Sequence, residues 1–193
     1  MGNGKMDLVE AREVADRLVD HLGPAFDKLV VAGSIRRGKL VVGDVELVGI
    51  CNDQDSFLGR LKHFGHTIKP GTPDVVPWTP KPDAKYVRAR LDVGINLDVF
   101  IGDVDNFGGL LLMRTGSGVG PDGNAFSGFT PGIFSRWKKV SGGGRMVGAR
   151  PTTVDGFSHS VPTEEAFFDL LGMHFVPPEE RLSKAVIKHY LRS

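Results

Sequence analysis

The sequence has a single cysteine and lacks any long hydrophobic run. Cys51 stands alone, which excludes an internal disulfide and a cysteine-based zinc cluster. No run approaches the ~18 apolar residues of a membrane span, and no secretory apolar stretch opens the chain. These absences predict a soluble, intracellular protein of the cytoplasm that has no membrane partner.

An excess of charge of either sign is absent as well. Lys and Arg total 24 against 23 Asp and Glu, for a formal net charge of +1. A chain with this balance is not a general polycation, so any site for a polyanion must be local. With 193 residues, 40% hydrophobic and 24% charged, the chain suits one compact domain or two small subdomains.

Hydrophobic patterning predicts both helices and strands. Apolar residues recur at helical spacing over residues 6–22, and Gly23-Pro24 stops the helix. Residues 85–102 alternate around the turn Asp92-Val93-Gly94 and predict a hairpin. The other predictions are strands over 28–32 and 45–50, a short helix over 54–64, an irregular proline-rich segment over 70–83, a second hairpin over 137–149 that turns at 141–145, and one or two final helices over 163–193 that start at an N-cap, Thr163.

Three acidic residues fall on predicted strands or at the start of one. Asp44 and Glu46 are two residues apart, so their side chains point to the same face. Two like charges ~4 Å apart repel by about 4 kcal/mol at an effective dielectric near ~20, and a bound cation would offset this cost. If Asp98 of the hairpin lies beside them, three carboxylates can hold two Mg²⁺ ions about 3.5–4 Å apart. The alternative is a solvated strand face, the usual reason for acids at this spacing.

Gly33 and Ser34 lie where the first predicted core strand ends and the chain turns. Glycine lets backbone N–H groups approach an anion, and the Ser34 hydroxyl can join them. Arg37 can add planar, charge-assisted donors to the same phosphate oxygens. The stretch therefore predicts donors for a triphosphate on one side of a turn and acids for metal ions on the other.

Four motifs carry a family resemblance. The stretch "GSIRRGKLVVGDVE" (33–46) resembles the nucleotidyltransferase signature of family X DNA polymerases, the DNA polymerase beta-like group, which reads Gly-Ser-x-Arg-Arg followed by Gly-Asp-x-Asp. The stretch "LDVFIGD" (97–103) is similar to the strand that bears that family's third metal ligand, and Thr115-Gly116-Ser117 is similar to the segment against which the nucleotide packs. The stretch "TEEAFFDLLGMHFVPPEER" (163–181) resembles the family's closing helix and tail.

The resemblance implies a set of site residues. Asp44, Glu46 and Asp98 would be the catalytic metal ligands, for two Mg²⁺ ions that Mn²⁺ can replace. The triphosphate and the rest of the nucleotide would lie against residues from both halves of the chain. The nucleotide-binding residues implied in this way are Gly33, Ser34, Arg37, Gly43, Thr115 and Gly116.

The resemblance also implies a fold and an activity. The fold is α+β, with a nucleotidyltransferase palm over 1–104 whose mixed or antiparallel sheet has helices on one face, and a small α+β subdomain over 105–193 that contacts nucleotide and DNA. The activity is transfer of dNMP from a dNTP to the 3′-hydroxyl of gapped or primed DNA, as in short-gap filling during repair. Because only residues 1–27 precede the first strand, the chain resembles a minimal palm-plus-thumb polymerase of viral type, a monomer inside its host cell.

The chain departs from the family pattern at three places. Glu46 replaces the commoner second Asp, and Asn96 stands where Arg is frequent. Met113-Arg114 precede the Thr-Gly segment where aromatic residues usually discriminate deoxyribose from ribose. The sequence therefore leaves the sugar preference open.

Two groups of cations have two interpretations each. They are predicted either to contact DNA phosphates or to solvate an exposed face. His63 and His66 are predicted to be surface residues rather than metal ligands, because no further ligand pairs with them. The candidates for DNA contact are Arg36, Lys85, Arg88, Arg136, Lys138 and Lys139.

Two other functions are compatible with the sequence. The same palm could transfer a nucleotide to a non-DNA acceptor, such as an RNA end, a protein or a small molecule. In a different class of function, the acids would be vestigial in a catalytically silent module that binds DNA ends.

Overall fold

The computed structural model describes residues 4–71 and 76–193. The chain divides into two compact units, the first ending at Asp103 and the second spanning Val104–Ser193; the predicted boundary lies between 104 and 105. The first unit has a five-stranded mixed sheet with helices, and the second has helices with a two-stranded sheet. The predicted α+β class is confirmed. Within the described ranges, no helix is long and apolar enough to cross a membrane.

The first unit interleaves strands and helices. In chain order its elements are β1 (Met6–Asp7), α1 (Leu8–Leu22), a 3₁₀ turn (Gly23–Ala25), β2 (Phe26–Val31), α2 (Gly33–Arg36), β3 (Val41–Val42), β4 (Asp44–Cys51), α3 (Gln54–Leu61), β5 (Gly65–Thr67), β6 (Tyr86–Leu91) and β7 (Asn96–Ile101). The five-stranded sheet has the order β2-β4-β7-β6-β5, and β1 pairs with β3 separately. In the larger sheet β4 and β7 are parallel, and the other neighbours are antiparallel.

Helix α1 begins at a capping residue and buries one face. The Asp7 side chain accepts a hydrogen bond from the Glu10 N–H at 3.0 Å, which satisfies one of the unpaired donors of the first turn. The helix ends at Gly23-Pro24 as predicted. Helices α1 and α3 pack against one face of the sheet, in a core that contains Ala11, Val14, Leu18, Leu22, Phe57 and Leu61 from the helices and Val45, Leu47, Leu97 and Val99 from the strands.

The predicted core strands and the hairpin are confirmed, with β6 and β7 joined through Asp92-Val93-Gly94. The proline-rich segment predicted over 70–83 includes residues 72–75, which lie outside the described residues. Its described part contains one isolated bridge, between Pro77 and Ile68. The segment is therefore held to the sheet edge near β5 without forming a strand of its own.

The second unit is built mainly of helices. Its elements are α4 (Phe107–Thr115), α5 (Phe129–Val140), β8 (Arg145–Val147), β9 (Arg150–Thr152), α6 (Glu164–Leu170) and two 3₁₀ segments, Pro178–Glu180 and Lys184–Tyr190. Their apolar faces form one core around Phe129, Ile133, Trp137 and Phe167. Thr163 caps α6 as predicted, because its hydroxyl accepts from the Ala166 N–H at 3.2 Å.

The hairpin predicted over 137–149 is placed wrongly. Residues 137–140 are the last turn of α5, and 141–144 leave the helix rather than turn a hairpin. The Ser141 hydroxyl donates to the Trp137 carbonyl at 2.6 Å and accepts from the Gly144 N–H at 2.9 Å. The true hairpin joins β8 to β9 through Gly148-Ala149, both with positive φ. The apolar spacing of Phe129, Ile133 and Trp137 is helical and outweighs the turn signal of the glycines.

Helix α4 was not predicted, because two glycines, Gly108 and Gly109, follow its first residue. A Cβ placed on Gly108 would lie 2.0 Å from the Thr163 carbonyl carbon, and one placed on Gly109 would lie 2.0 Å from the Ala149 oxygen. These glycines permit close backbone contact rather than a loop. The glycine-containing stretch Phe107–Thr115 therefore forms a tightly packed helix and not a loop.

A buried ion pair fixes the tail of the second unit. The Arg181 guanidinium donates to both carboxylate oxygens of Glu164, and the Nη2–Oε2 distance is 3.2 Å. Its Nε–H donates to the Val176 carbonyl at 2.9 Å. Arg181 also lies near the rings of Phe168 and Phe175, with Cζ 5.3 and 5.1 Å from their centroids. The pair joins the start of α6 to the chain that follows the Pro177-Pro178 segment.

Candidate functional site

The parallel pairing of β4 with β7 groups three acidic residues. Glu46 lies directly opposite Asp98, and Asp44 lies opposite Asn96. Neighbouring strands are about 4.8 Å apart and side chains alternate between faces. Because Val45, Leu47, Leu97 and Val99 belong to the helix-covered core, the three acids lie on the other face of the sheet.

Strand β6 adds cations and an aromatic residue to the same face. Arg88 lies opposite Asp98, and Tyr86 lies opposite Phe100. Arg90 donates from Nη1 to the Asn96 side-chain oxygen at 3.1 Å. Across β4, β7 and β6 the face therefore has three rows, which are Asp44-Asn96-Arg90, Glu46-Asp98-Arg88 and Val48-Phe100-Tyr86.

Asp98 has two partners on β6. The Tyr86 hydroxyl donates to Asp98 Oδ1 at 2.7 Å, and Arg88 Nε lies 3.5 Å from the same oxygen. Burial first, and then the hydrogen bond to Asp98, raises the pKa of Tyr86 to about 12. The phenol is thus a protonated donor at neutral pH. Asp98 itself is only 6% exposed, so these contacts restrict its rotamer.

The turn after β2 brings Gly33 against Glu46. The Ala32 N–H donates to the Glu46 carbonyl at 2.8 Å, which extends the β2–β4 ladder by one residue. Gly33 then takes φ +64°, and a Cβ there would lie 2.0 Å from Glu46 Oε2. Only glycine combines this backbone conformation with so close an approach.

Ser34 presents an unsatisfied hydroxyl at the same turn. The residue is buried, and within residues 4–71 and 76–193 its Oγ has no hydrogen-bond partner. A buried hydroxyl without a partner costs about 1–3 kcal/mol, so native proteins rarely leave one without reason. An anion held at this turn would supply the missing partner.

Arg37 lies close to the acids of β4. Burial lowers the pKa of Arg37, and the charges of Glu46 and then Asp44 oppose that shift. The backbone of the turn is fixed by the Arg37 N–H, which donates to the Gly33 carbonyl at 3.2 Å. A cation is therefore held beside the acids and the turn, where it can also meet a phosphate group.

The donor set of this face fits a hard divalent cation. Asp44, Glu46 and Asp98 offer oxygen ligands alone, which Mg²⁺ prefers. In the part of the chain that the structure describes, no three His, Cys, Asp or Glu side chains come together closely enough to hold a metal ion. Instead Asp98 contacts Arg88, and Arg37 lies near the acids of β4. Strand pairing thus brings the three acids to one face of the sheet, but their side chains do not form a shared site among the described residues.

The remaining nucleotide candidates have different surroundings. Gly43 immediately precedes β4, and a Cβ there would meet nothing within 4 Å, so no steric reason requires glycine. Thr115 is fully buried at the end of α4. In Gly116 a Cβ would lie 2.4 Å from Thr130 Oγ1. Both residues are thus packed inside the second unit.

The cations predicted to contact DNA fall into three groups by burial and contacts. Arg88 contacts Asp98 as described, and the Arg136 Nε–H donates to the Leu171 carbonyl at 2.9 Å, so both have structural partners. Arg36 is half-buried in α2. The exposed candidates are Lys85, Lys138 and Lys139. His63 and His66 are also exposed, as the surface interpretation predicts.

The main residue that sequence reasoning missed is Tyr86. The alternation of "YVRARL" (86–91) places Tyr86, Arg88 and Arg90 on one face. That signal was available, but the contact with Asp98 depends on the hairpin register.

Comparison with known proteins adds no family assignment. No protein-family model matches the chain, and no curated protein matches its sequence. The resemblance to family X polymerases therefore rests on the motifs quoted above and remains a prediction.

Proposed function

We propose that the protein is a nucleotidyltransferase that transfers dNMP from a dNTP to the 3′-hydroxyl of gapped or primed DNA. One observation carries the proposal. Parallel pairing of β4 with β7 brings Asp44, Glu46 and Asp98 to one face of the sheet, beside a glycine turn. The residues proposed for the phosphate and metal sites thus lie near one another in the first unit.

The acids supply the metal site in this proposal. Asp44, Glu46 and Asp98 would hold two Mg²⁺ ions, which would favour deprotonation of the attacking hydroxyl and neutralise charge on the departing pyrophosphate. Mn²⁺ has the same preference for oxygen ligands and can replace Mg²⁺. Glu46 has one methylene more than Asp, and Gly33 leaves room for its carboxylate at the turn.

The turn supplies the phosphate site. The Ser34 hydroxyl, buried and without a partner among the described residues, would donate to a phosphate oxygen. Arg37 would add charge to the same group, which also offsets the repulsion between phosphate and acids. Neither residue needs to ionise during the transfer, so both act by binding and orientation.

DNA is the proposed acceptor because the motifs follow the order of the DNA polymerase family. Exposed Lys85, Lys138 and Lys139 offer phosphate contacts outside the acid cluster. A protein that fills short gaps would bind its DNA in a salt-dependent manner through such contacts. The residues proposed for the metal ions and the triphosphate do not distinguish DNA from other acceptors.

Primer extension on gapped DNA tests the proposal. The purified protein should add dNMP in the presence of Mg²⁺ or Mn²⁺, and Asp98→Asn should lower the rate by about a hundredfold or more, since loss of metal stabilisation costs several kcal/mol. Asp92→Asn is the matched control, because Asp92 is exposed at the turn of the same hairpin. It should keep wild-type activity.

The same assay separates the other functions. Labelled nucleotide that transfers to RNA, protein or a small molecule but not to DNA would replace the proposed acceptor. Binding to DNA ends with no transfer to any acceptor would identify a silent module and contradict the proposal.

A further inference from the structure

The contacts of Asp98 on β6 suggest a role for Tyr86 that goes beyond the site described above. Tyr86 lies one step diagonally from Asp98 across the β6–β7 pair, since it faces Phe100 directly. Its ring stacks on Phe100, with centroids 4.9 Å apart and planes inclined by 10°. The stacked ring places the hydroxyl over the next row of the face, where it donates to Asp98 Oδ1 at 2.7 Å.

We propose that Tyr86 is a positioning residue, whose hydroxyl holds the Asp98 carboxylate in place for a divalent cation shared with the acids of β4. This inference rests on the proposed function, because it takes Asp98 to be a metal ligand. Tyr86 would touch neither metal nor substrate. It acts through Asp98 by limiting the rotamers that the carboxylate can adopt.

Tyr86 and Arg88 should respond differently to a metal ion bound at Asp98. A neutral O–H donor is compatible with a metal on the same carboxylate, because an ionised carboxylate has about four acceptor sites. A guanidinium is repelled by a divalent cation at such short range. Arg88 forms a salt bridge with Asp98, with Nε 3.5 Å from Oδ1. A bound metal would weaken this salt bridge and would leave the hydrogen bond from Tyr86 in place.

The geometry of the ring suits the hydroxyl to this task. The ring is stacked on Phe100, and its O–H donates directly to Asp98 Oδ1. Hydrogen bonds to metal-ligating groups commonly change metal affinity by about 10–100-fold. The ring stack means that Tyr86→Phe removes the hydroxyl and retains the aromatic packing.

Mn²⁺ binding to the protein without DNA or nucleotide tests the inference, with free Mn²⁺ measured by electron paramagnetic resonance. Tyr86→Phe should bind Mn²⁺ about tenfold or more weakly than the wild type. Arg88→Gln should bind it no more weakly, although Arg88 contacts the same oxygen. Tyr190→Phe, which removes the only other tyrosine hydroxyl, should match the wild type.

Asp98→Asn separates failure of the inference from failure of the proposed function. If Asp98→Asn weakens Mn²⁺ binding and Tyr86→Phe does not, the role of Tyr86 is wrong and the metal site stands. If Asp98→Asn binds Mn²⁺ like the wild type, Asp98 is not a ligand, and both the role of Tyr86 and the proposed metal site are wrong.

A second readout distinguishes positioning from structural support. In primer extension, a high Mn²⁺ concentration should restore the turnover of Tyr86→Phe to the wild-type level. The defect should appear as a higher Mn²⁺ concentration needed for half-maximal turnover. A turnover that stays low at saturating Mn²⁺ would contradict the inference.

Discussion

Replacing Arg181 with methionine tests the buried ion pair of the second unit. Arg181 is fully buried and Glu164 is 4% exposed. In Arg181→Met the Glu164 carboxylate loses both guanidinium donors, and the Val176 carbonyl loses its Nε–H. Removing one partner of a buried pair costs about 3–5 kcal/mol, because the remaining charge is kept from water. We expect a loss of that size in the free energy of unfolding.

Two further variants serve as controls for the expected loss in the free energy of unfolding. In Glu164→Leu/Arg181→Met neither charge remains, so most of the lost stability should return. Arg192→Met removes a matched but exposed ion pair of the same unit, with side-chain exposures of 44% for Arg192 and 60% for Asp169. Because exposed pairs contribute about 0–1 kcal/mol, this control should change stability little.

Urea unfolding followed by tryptophan fluorescence measures these differences. Trp137 is 4% exposed in the core of the second unit, so it reports on that unit when Trp78 is replaced by phenylalanine in every variant. An Arg181→Met loss below about 1 kcal/mol would refute the reasoning. So would a double variant as unstable as Arg181→Met alone.

Two other predictions concern the first unit. Gly33→Ala and Gly38→Ala should each lower the free energy of unfolding by about 1–2 kcal/mol, because both positions have a left-handed φ. Only Gly33→Ala displaces Glu46, so only this variant should also reduce nucleotide transfer. Equal effects of the two variants on transfer would contradict the close approach of Gly33 to Glu46. In the metal-free protein the pKa of Tyr86 is raised to about 12, above the value near ~10 of an unfolded tyrosine. Its contribution to stability is therefore complete below about pH 10 and is lost as the pH rises to about 12. A phenolate absorbance titration should lose its step near pH 12 in Tyr86→Phe, and persistence of that step would show the assignment to be wrong.

The grouping of the acids could be predicted from local pattern. Alternation along each strand predicted that Asp44 and Glu46 share one face and that Asp98 lies on the face opposite Leu97 and Val99. The three acids then come together as soon as the two strands are neighbours in the sheet. The contact between Tyr86 and Asp98 could not be derived in this way. It depends on a diagonal neighbour in the hairpin and on the stacking against Phe100, and both follow from register.

Glycine was the least informative residue in the sequence. At Gly33 it correctly indicated a turn, and the structure gives this residue a positive φ. At Gly108 it permits contact between backbones at a helix, and at 142–144 it forms the turn that follows the Ser141 cap of α5. The same residue type serves all three purposes because it lacks a Cβ, and only the surrounding packing distinguishes them.

The pairing of β4 with β7 also has a consequence for protein synthesis. These strands are neighbours in the sheet, yet α3, β5 and β6 separate them along the chain. A nascent chain that has emerged only as far as β6 would contain the glycine turn, Asp44 and Glu46, but it would lack Asp98, which lies on β7. Capacity to bind the metal would thus arise in one step, after β7 leaves the ribosome and closes this long-range contact.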